Sequence, residues 1–179
     1  MRFLVLADIG DLRWTGGAVA ADAVLSCGDV ADEVVVAAAE ACGGSRVFAV
    51  RGNHDRAVPF PSPIRDVHLQ VAELGELTVG GFQGCWRYKP RGRFLYSQDE
   101  VAAALEHFPA VDIFVAHNSP RGIHDRDDAV HVGFEAFVAY IERCRPRLFV
   151  HGHQHLARET RVGDTRVVGV HGHRLVEVQ

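Results

Sequence analysis

Five short apolar runs recur along the chain, and each is followed by polar residues. The runs are RFLVLA (2–7), AVLSC (23–27), RVFAV (46–50), VDIFVA (111–116) and RLFV (147–150). Continuous apolarity over so few residues is typical of strands that are buried on both faces. The five runs are therefore predicted to be buried strands.

Helical patterns lie between these runs. The segments are DEVVVAAAEAC (32–42), which stops at Gly43-Gly44, SQDEVAAALEHF (97–108), which opens with the capping box of Ser97 and Glu100, and GFEAFVAYIERCRP (133–146). Two further stretches, 67–83 and 157–170, predict antiparallel hairpins. Because strand and helix alternate, we predict an α/β fold with mixed sheets, in a single domain spanning 1–179.

The composition argues against several classes of protein. A formal net charge of −4 argues against general nucleic-acid binding and against binding to a membrane surface. No segment approaches the roughly 20 apolar residues that span a bilayer. The first ten residues lack the features of a signal peptide, so we expect a cytoplasmic protein. The four cysteines are widely spaced and predict free thiols.

Polar side chains follow every apolar run, where chemistry tends to be placed in α/β proteins. These residues are Asp8, then Asp29 in GDVAD, then Asn53, His54 and Asp55 in GNHD, then His117 in AHNSP, and finally His153 and His155 in HGHQH. The carboxyl ends of parallel strands share one edge, so we expect the side chains to meet in a crevice. Oxygen and nitrogen donors without thiolate suit Mn²⁺, Fe²⁺ or Zn²⁺, and a carboxylate can bridge two such ions.

In their order along nearly the whole chain, these five motifs resemble the calcineurin-like metallophosphoesterases. The resemblance implies a four-layer sandwich, in which helices flank two mixed β-sheets. It also implies two divalent metal ions. Asp8, Asp29 and His155 would bind the first ion, and Asp29, Asn53, His117 and His153 would bind the second.

The resemblance further implies a phosphoester hydrolase that uses a hydroxide bridging the two metals. His54 would be the general acid at the leaving oxygen, and Asp55 is a candidate to hold its ring. The reaction would act on a small phosphoester, with a nucleotide among the candidates. The sequence does not indicate an oligomeric state.

Two long loops contain the candidates for substrate binding. Arg87 and Lys89 belong to a basic, aromatic-rich loop, and Arg121 and His124 belong to the loop that follows His117. The second loop resembles the His-x-x-Pro-x-Gly segment of phosphodiesterases in this family. We therefore expect a phosphodiesterase rather than a phosphomonoesterase.

Gly10 is the one clear departure from the family pattern, which usually has Asp-x-His at this point. The first metal would then keep three of its four protein ligands. Water or Asp11 could complete the shell, or the site could fill only with substrate; we expect Asp11 or water. The tripeptide 171–173 repeats the one at 151–153, but we expect it to lie outside the site because it follows a hairpin.

The alternative is a non-catalytic member that acts as a ligand- or protein-binding module. The retromer subunit with this fold shows that the scaffold can lose metal function. Gly10 supports this alternative, whereas His54 argues against it because a scaffold needs no acid for a leaving group.

Overall fold

The computed structural model describes residues 1–11 and 13–178 of the chain, and its elements follow the predicted order. The strands are β1 (Arg2–Ala7), β2 (Ala23–Ser26), β3 (Arg46–Ala49), β4 (Ile64–Asp66), β5 (Val71–Leu74), β6 (Leu77–Phe82), β7 (Cys85–Trp86), β8 (Leu95–Tyr96), β9 (Ile113–Ala116), β10 (Leu148–His151), β11 (Arg158–Val162), β12 (Thr165–Gly169) and β13 (Gly172–Glu177). The helices are α1 (Asp32–Ala41), α2 (Gln98–Leu105) and α3 (Glu135–Cys144).

Two mixed sheets make up the centre of the fold. The first sheet has the order β13-β1-β2-β3-β4, and all its neighbours are parallel except β13 against β1. The second sheet has the order β11-β12-β10-β9-β6-β5, with a parallel centre and antiparallel edge strands. A short parallel pair, β7 and β8, lies apart from both sheets.

The side chains of the central strands alternate between two hydrophobic layers. In β1, Phe3 and Val5 pack in the cluster between the sheets, whereas Leu4 and Leu6 pack in the cluster that contains α1. On the far side of the second sheet, Phe114 packs in a cluster with residues of α2 and α3. Burial of each such side chain stabilises the folded state by about 1.5–3 kcal/mol. The four layers are thus helix, sheet, sheet and helices, as predicted.

The element predictions are confirmed apart from the shortest strands. All five apolar runs form strands, and 67–83 and 157–170 contain the hairpins β5-β6 and β11-β12. The capping box is present, because Ser97 Oγ accepts from the Glu100 backbone N–H and the Glu100 side chain accepts from the Ser97 N–H. The sequence pattern does not predict β4, β7 and β8. None of the helices in the described part of the chain is long and apolar enough to cross a bilayer.

The topology places the candidate ligands at one edge of both sheets. β1, β2 and β3 are parallel, so their carboxyl ends present Asp8, Asp29 and Asn53 together. In the second sheet, β9 and β10 are parallel and lead into His117 and the turn at 152–155. The sheets are connected at this edge, since Gly152 N–H donates to the His117 carbonyl within the second sheet and His153 N–H donates to Asp8 of the first.

Candidate metal centre

Backbone hydrogen bonds fix Asp8 and Asp29 side by side where β1 and β2 end. Asp8 N–H donates to the Gly28 carbonyl at 3.2 Å, and Ile9 N–H donates to the Asp29 carbonyl at 3.0 Å. These bonds continue the parallel pairing beyond the strands, up to an isolated bridge between Ile9 and Val30. The two carboxylates are therefore held by a rigid backbone rather than by flexible loops.

The backbone is strained at four of the predicted ligands. Asp8, Asp29, His153 and His155 have φ values of +54°, +55°, +63° and +49°, in the left-handed region. Non-glycine residues seldom adopt this conformation, although Asp and His tolerate it better than most. Such strain persists where the surrounding structure imposes it, and it concentrates at functional sites.

Four predicted ligands of the second metal form a mostly buried group that we call the inner cluster: Asp29, Asn53, His117 and His153. His117 Nε2 lies 3.0 Å from Asn53 Oδ1 and 3.4 Å from Asp29 Oδ2. The His153 ring lies with its centroid 5.0 Å from that of His117. Several donor atoms therefore face a common point.

A backbone carbonyl sets the orientation of the His117 ring. His117 Nδ1 lies 2.8 Å from the Cys27 carbonyl and donates to it, so Nε2 faces the cluster. Such a contact to the far nitrogen is the usual support of a metal-binding histidine. Burial disfavours the charged ring, but the Asp29 carboxylate, the charge of Asp8 and the hydrogen bond to the Cys27 carbonyl together outweigh it and raise the pKa of His117 to about 9. For Asp29, burial acts to raise the pKa, and the charge of His117 lowers it below the usual value.

Asp8 belongs to a second group, which we call the outer cluster: Asp8, His155 and His171. One ligand atom from each of these residues lies within 4.8 Å of the others. Asp8 Oδ2 accepts from His153 N–H at 2.8 Å, whereas Asp8 Oδ1 is buried without a hydrogen-bond partner and lies 3.6 Å from His155 Nε2. Burial, against the opposing charge of His117, raises the pKa of Asp8.

The carboxylates of Asp8 and Asp29 connect the two clusters. Asp8, Asp29 and His117 also place one ligand atom each within 4.8 Å of one another. Glycines permit the close approach: a Cβ on Gly52 would lie 2.0 Å from Asp29 Oδ1, and one on Gly152 would lie 2.7 Å from Asp8 Oδ2. Two neighbouring buried carboxylates, one with an oxygen that lacks a partner, are costly unless a cation neutralises them. The residues present therefore fit divalent metal ions.

His54 and Asp55 lie beside the inner cluster but have different surroundings. The His54 side chain is exposed, while its backbone N–H donates to Asp29 Oδ1 at 2.8 Å. Asp55 Oδ2 accepts from the backbone N–H groups of Asp29 (2.9 Å) and Gly52 (2.7 Å), so this carboxylate braces the two loops. The sequence predicts that Asp55 holds the His54 ring. In the structure, Asp55 Oδ2 instead accepts from two backbone N–H groups. Burial raises the pKa of Asp55.

A cavity of about 720 Å³ adjoins His54, and Gly10 is part of its wall. A Cβ at Gly10 would meet no atom within 4 Å, so the departure from the family pattern leaves open space here. Asp11, the predicted replacement ligand, is exposed, and in the described ranges 1–11 and 13–178 it belongs to neither cluster. Its part in metal binding stays a prediction.

The candidates for substrate binding are engaged in protein contacts. Arg87 pairs with Glu100 at 2.7 Å, and Arg121 pairs with Asp125 at 2.8 Å. Lys89 is exposed, with Nζ 4.9 Å from the centroid of the Tyr88 ring.

His124 is buried, and both of its ring nitrogens are used. Nδ1 lies 2.9 Å from His151 Nε2, and Nε2 lies 2.9 Å from Thr160 Oγ1. Burial lowers the pKa of His124 to about 4 and that of His151 to about 3. This arrangement argues against the predicted contact between His124 and a substrate.

Two further residues lie near the site. Arg93, in the basic loop, donates from Nη1 to the Asp55 carbonyl at 3.2 Å, so its charge lies next to the GNHD turn. The prediction that 171–173 lies outside the site is wrong for His171, whose ring centroid is 5.0 Å from that of His155. Its position depends on how β13 pairs with β1, which the sequence pattern does not encode.

Solved structures with this fold show low sequence identity to the chain. Phosphopantetheinyl hydrolase (PptH) from Mycobacterium tuberculosis has a TM-score of 0.57 at 15% identity, over 94% of this chain and 88% of that one. The protein TT1561 of Thermus thermophilus has a TM-score of 0.57 at 14% identity, with the same shares covered. Vacuolar protein sorting 29 from Cryptosporidium parvum has a TM-score of 0.51 at 16% identity, over 94% of this chain and 72% of that one. At such identities the likeness shows the fold alone.

The family is shown by sequence. No curated protein matches the chain in sequence. The family profile of the calcineurin-like phosphoesterase superfamily domain, however, matches residues 1–171, and therefore includes every residue of both clusters. Members of this family bind divalent metals, in agreement with the His and Asp ligand groups found here. The chain therefore belongs to the calcineurin-like phosphoesterase superfamily.

Proposed function

We propose that the protein is a metal-dependent phosphoesterase that cleaves a small phosphodiester with the help of two divalent ions. The observation that carries this proposal is Asp8 Oδ1, a buried oxygen without a partner that faces the imidazole of His155. A structural carboxylate would be expected to have its oxygens paired. A carboxylate that binds a cation, in contrast, has an oxygen that is free to contact the cation.

The two clusters divide the ligands between the ions. The inner cluster would hold one ion through Asp29, Asn53, His117 and His153, and the other would lie at Asp8, Asp29 and His155. Paired divalent ions, when bound, lower the pKa of water and neutralise charge on phosphoryl oxygens. Asp29 supports both positions, because its carboxylate lies between His117 and the Asp8 side of the crevice.

His54 is the proposed proton donor to the leaving oxygen. The bond from its backbone N–H to Asp29 Oδ1 fixes the residue beside the candidate metal ligands, and the exposed ring is free to meet a substrate. A general acid must come within hydrogen-bond reach of the oxygen that it protonates. The adjoining cavity provides space for the leaving group on the same side.

The charges around this cavity favour a diester over a monoester. Arg51 forms a buried pair with Asp32 at 2.6 Å, and Arg56 lies 4.0 Å from Glu33. These cations of the wall are partnered by carboxylates, so they contribute little net charge to bind a dianionic monoester. A diester carries a single negative charge and needs less compensation.

Hydrolysis of two chromogenic esters tests the proposal. Chelator-stripped protein is refilled with Mn²⁺ and assayed with bis-p-nitrophenyl phosphate beside p-nitrophenyl phosphate. We expect Mn²⁺-dependent turnover of the diester, and little without the metal. Turnover of the monoester alone would show a phosphatase instead.

The second candidate is a binding module without catalysis, and Gly10 is the observation that favours it. A missing ligand weakens a metal site, and a weak site could serve recognition rather than hydrolysis. Bound Mn²⁺ without turnover of either ester would support this candidate.

A further inference from the structure

We propose that His171 supplies the ligand to the first metal ion that Gly10 cannot supply. The proposal rests on the metal-dependent function above and adds a ligand that the family pattern does not contain. It gives the first ion two carboxylates and two imidazoles, Asp8, Asp29, His155 and His171. The number and chemistry of the donors are then the same as with a histidine at position 10.

The pairing of β13 with β1 brings His171 to Asp8. The antiparallel register runs from Arg2 opposite Glu177 to Ala7 opposite Gly172. Asp8 and His171 come next after this last pair, so the register brings both residues to the same end of the ladder. There, a ligand atom of Asp8 and one of His171 lie within 4.8 Å of each other.

The chain path leaves His171 little freedom to lie elsewhere. Val170 N–H donates to the His151 carbonyl at 2.9 Å, which ties residue 170 to the second sheet. Gly172 already belongs to β13 in the first sheet, and its φ of +79° makes the turn between them. His171 thus lies where the chain passes from β12 of the second sheet to β13 of the first, at the edge where the candidate ligands collect.

The side chains of the outer cluster agree with a shared ion. The rings of His155 and His171 have centroids 5.0 Å apart and are inclined by 33°. A ligand atom of each lies within 4.8 Å of one of Asp8, whose Oδ1 lacks a hydrogen-bond partner. Two imidazoles therefore lie beside a carboxylate that has an unpaired buried oxygen. Both histidines are exposed, as is Asp11, the rival for this position, but Asp11 lies outside the cluster.

Metal titration of four proteins tests the inference without relying on catalysis. Chelator-stripped wild type, His171→Asn, His173→Asn and Asp11→Asn are titrated with Mn²⁺ by calorimetry, and with Co²⁺ by its absorption spectrum. His173 is the matched control: it lies in the same tripeptide, but its ring packs against Trp14. We expect His171→Asn to weaken the weaker of two sites about 10- to 100-fold and to change its Co²⁺ spectrum. The tighter site and the His173→Asn titration should match wild type.

A rescue variant keeps the test decisive. Gly10→His in the His171→Asn background should restore the weaker site, because position 10 has open space for a side chain. An unchanged weaker site in His171→Asn would overturn the inference, as would a loss of this site in Asp11→Asn but not in His171→Asn. Circular dichroism confirms that each variant is folded.

The inference and the proposed function fail in different ways. Two bound ions, one of them lost in His171→Asn, without hydrolysis of either ester, would support the ligand and refute the catalytic proposal. Hydrolysis of the diester, together with metal binding that is unchanged in His171→Asn, would support the catalytic proposal and refute His171 as a ligand.

Discussion

The inner and outer clusters are neighbours, yet the protein holds them in different ways. His117 of the inner cluster is fully buried, with 0% of its side chain exposed, and the Cys27 carbonyl orients its ring. His155 of the outer cluster has 57% of its side chain exposed. The inner cluster is formed mainly by residues close after strands, whereas the outer one combines Asp8 with residues on turns. A cluster whose ligands are oriented before binding should hold its ion more tightly.

The comparison also shows where the proposed metal centre depends on position 10, which is glycine in this chain. The inner cluster does not use that position. The outer cluster is open enough for a residue from another strand to enter it, and His171 is placed to do so. Under this proposal, the exposed part of the site is the part in which a ligand differs from the family pattern.

The largest expected effect is that of Asp29→Asn, because Asp29 is the proposed ligand of both ions and lies close to Asp8 and His117. Asparagine keeps the shape and still accepts from His54 N–H, but it removes the negative charge that the proposal assigns to both ions. We expect the affinity for both ions to fall by about 100-fold or more, as measured by Mn²⁺ calorimetry. The control is Asp164→Asn in the exposed β11-β12 turn. Loss of one ion alone would show that Asp29 serves a single cluster.

His54→Ala should separate catalysis from metal binding. The side chain belongs to neither cluster in the described part of the chain, so metal affinity should stay close to that of wild type. Loss of a general acid should lower kcat by roughly 10²- to 10⁴-fold, measured with the diester. His107→Ala, an exposed histidine at the end of α2, is the control. A parallel loss of metal would assign His54 to the shell instead.

The metal-free protein should be most stable near pH 6.5. The pKa of His117 is raised to about 9, from a usual value of 6.5. The contribution of His117 to the stability of the fold is therefore complete below pH 6.5 and is lost as the pH rises through about 9. Burial lowers the pKa of His124 to about 4 and that of His151 and His153 to about 3, so their contributions are complete above 6.5 and are lost as the pH falls.

Urea unfolding of chelator-treated protein checks this maximum. The free energy of unfolding should be higher at about pH 6.5 than at about pH 5 or about pH 9. In His117→Asn the alkaline decline should become smaller while the acid decline stays; the part that remains comes from the buried thiols of Cys27 and Cys85, whose pKa values burial raises. A steady rise or fall across the range would contradict the assignment of these charges.

The smallest expected effect is that of Arg93→Gln, outside both clusters. Arg93 is exposed and contacts the Asp55 carbonyl, so it can attract the substrate without touching a metal ligand side chain. An exposed charge contributes about 0.2–1 kcal/mol, so KM should rise by up to about fivefold with kcat nearly unchanged. Arg91→Gln in the same loop is the control. An equal effect of both variants would show only a general influence of loop charge.

Local pattern was enough to predict most of the fold. The apolar runs that became β1, β2, β3, β9 and β10 are buried on both faces, so continuous hydrophobicity identified them. The strands β7 and β8 are two residues long, and a pair of residues has no period to recognise.

The candidate site was predictable at residues that directly follow predicted parallel strands. Asp8, Asp29 and His117 follow strands, so topology alone brings them together. His171 was missed because its approach to Asp8 depends on the register of a long-range antiparallel pair. The contacts of Asp55 could not be predicted, because only the folded loop shows that its carboxylate faces two backbone N–H groups.

The number of Mn²⁺ ions that the chelator-stripped chain binds is the most direct test of this account. Calorimetric titration at neutral pH should show two ions per chain, one bound more tightly than the other, and diester hydrolysis should require both. The tighter site should be lost in His117→Asn and the weaker one in His171→Asn. A single ion, or two ions that both variants weaken equally, would contradict the division of the site into two clusters.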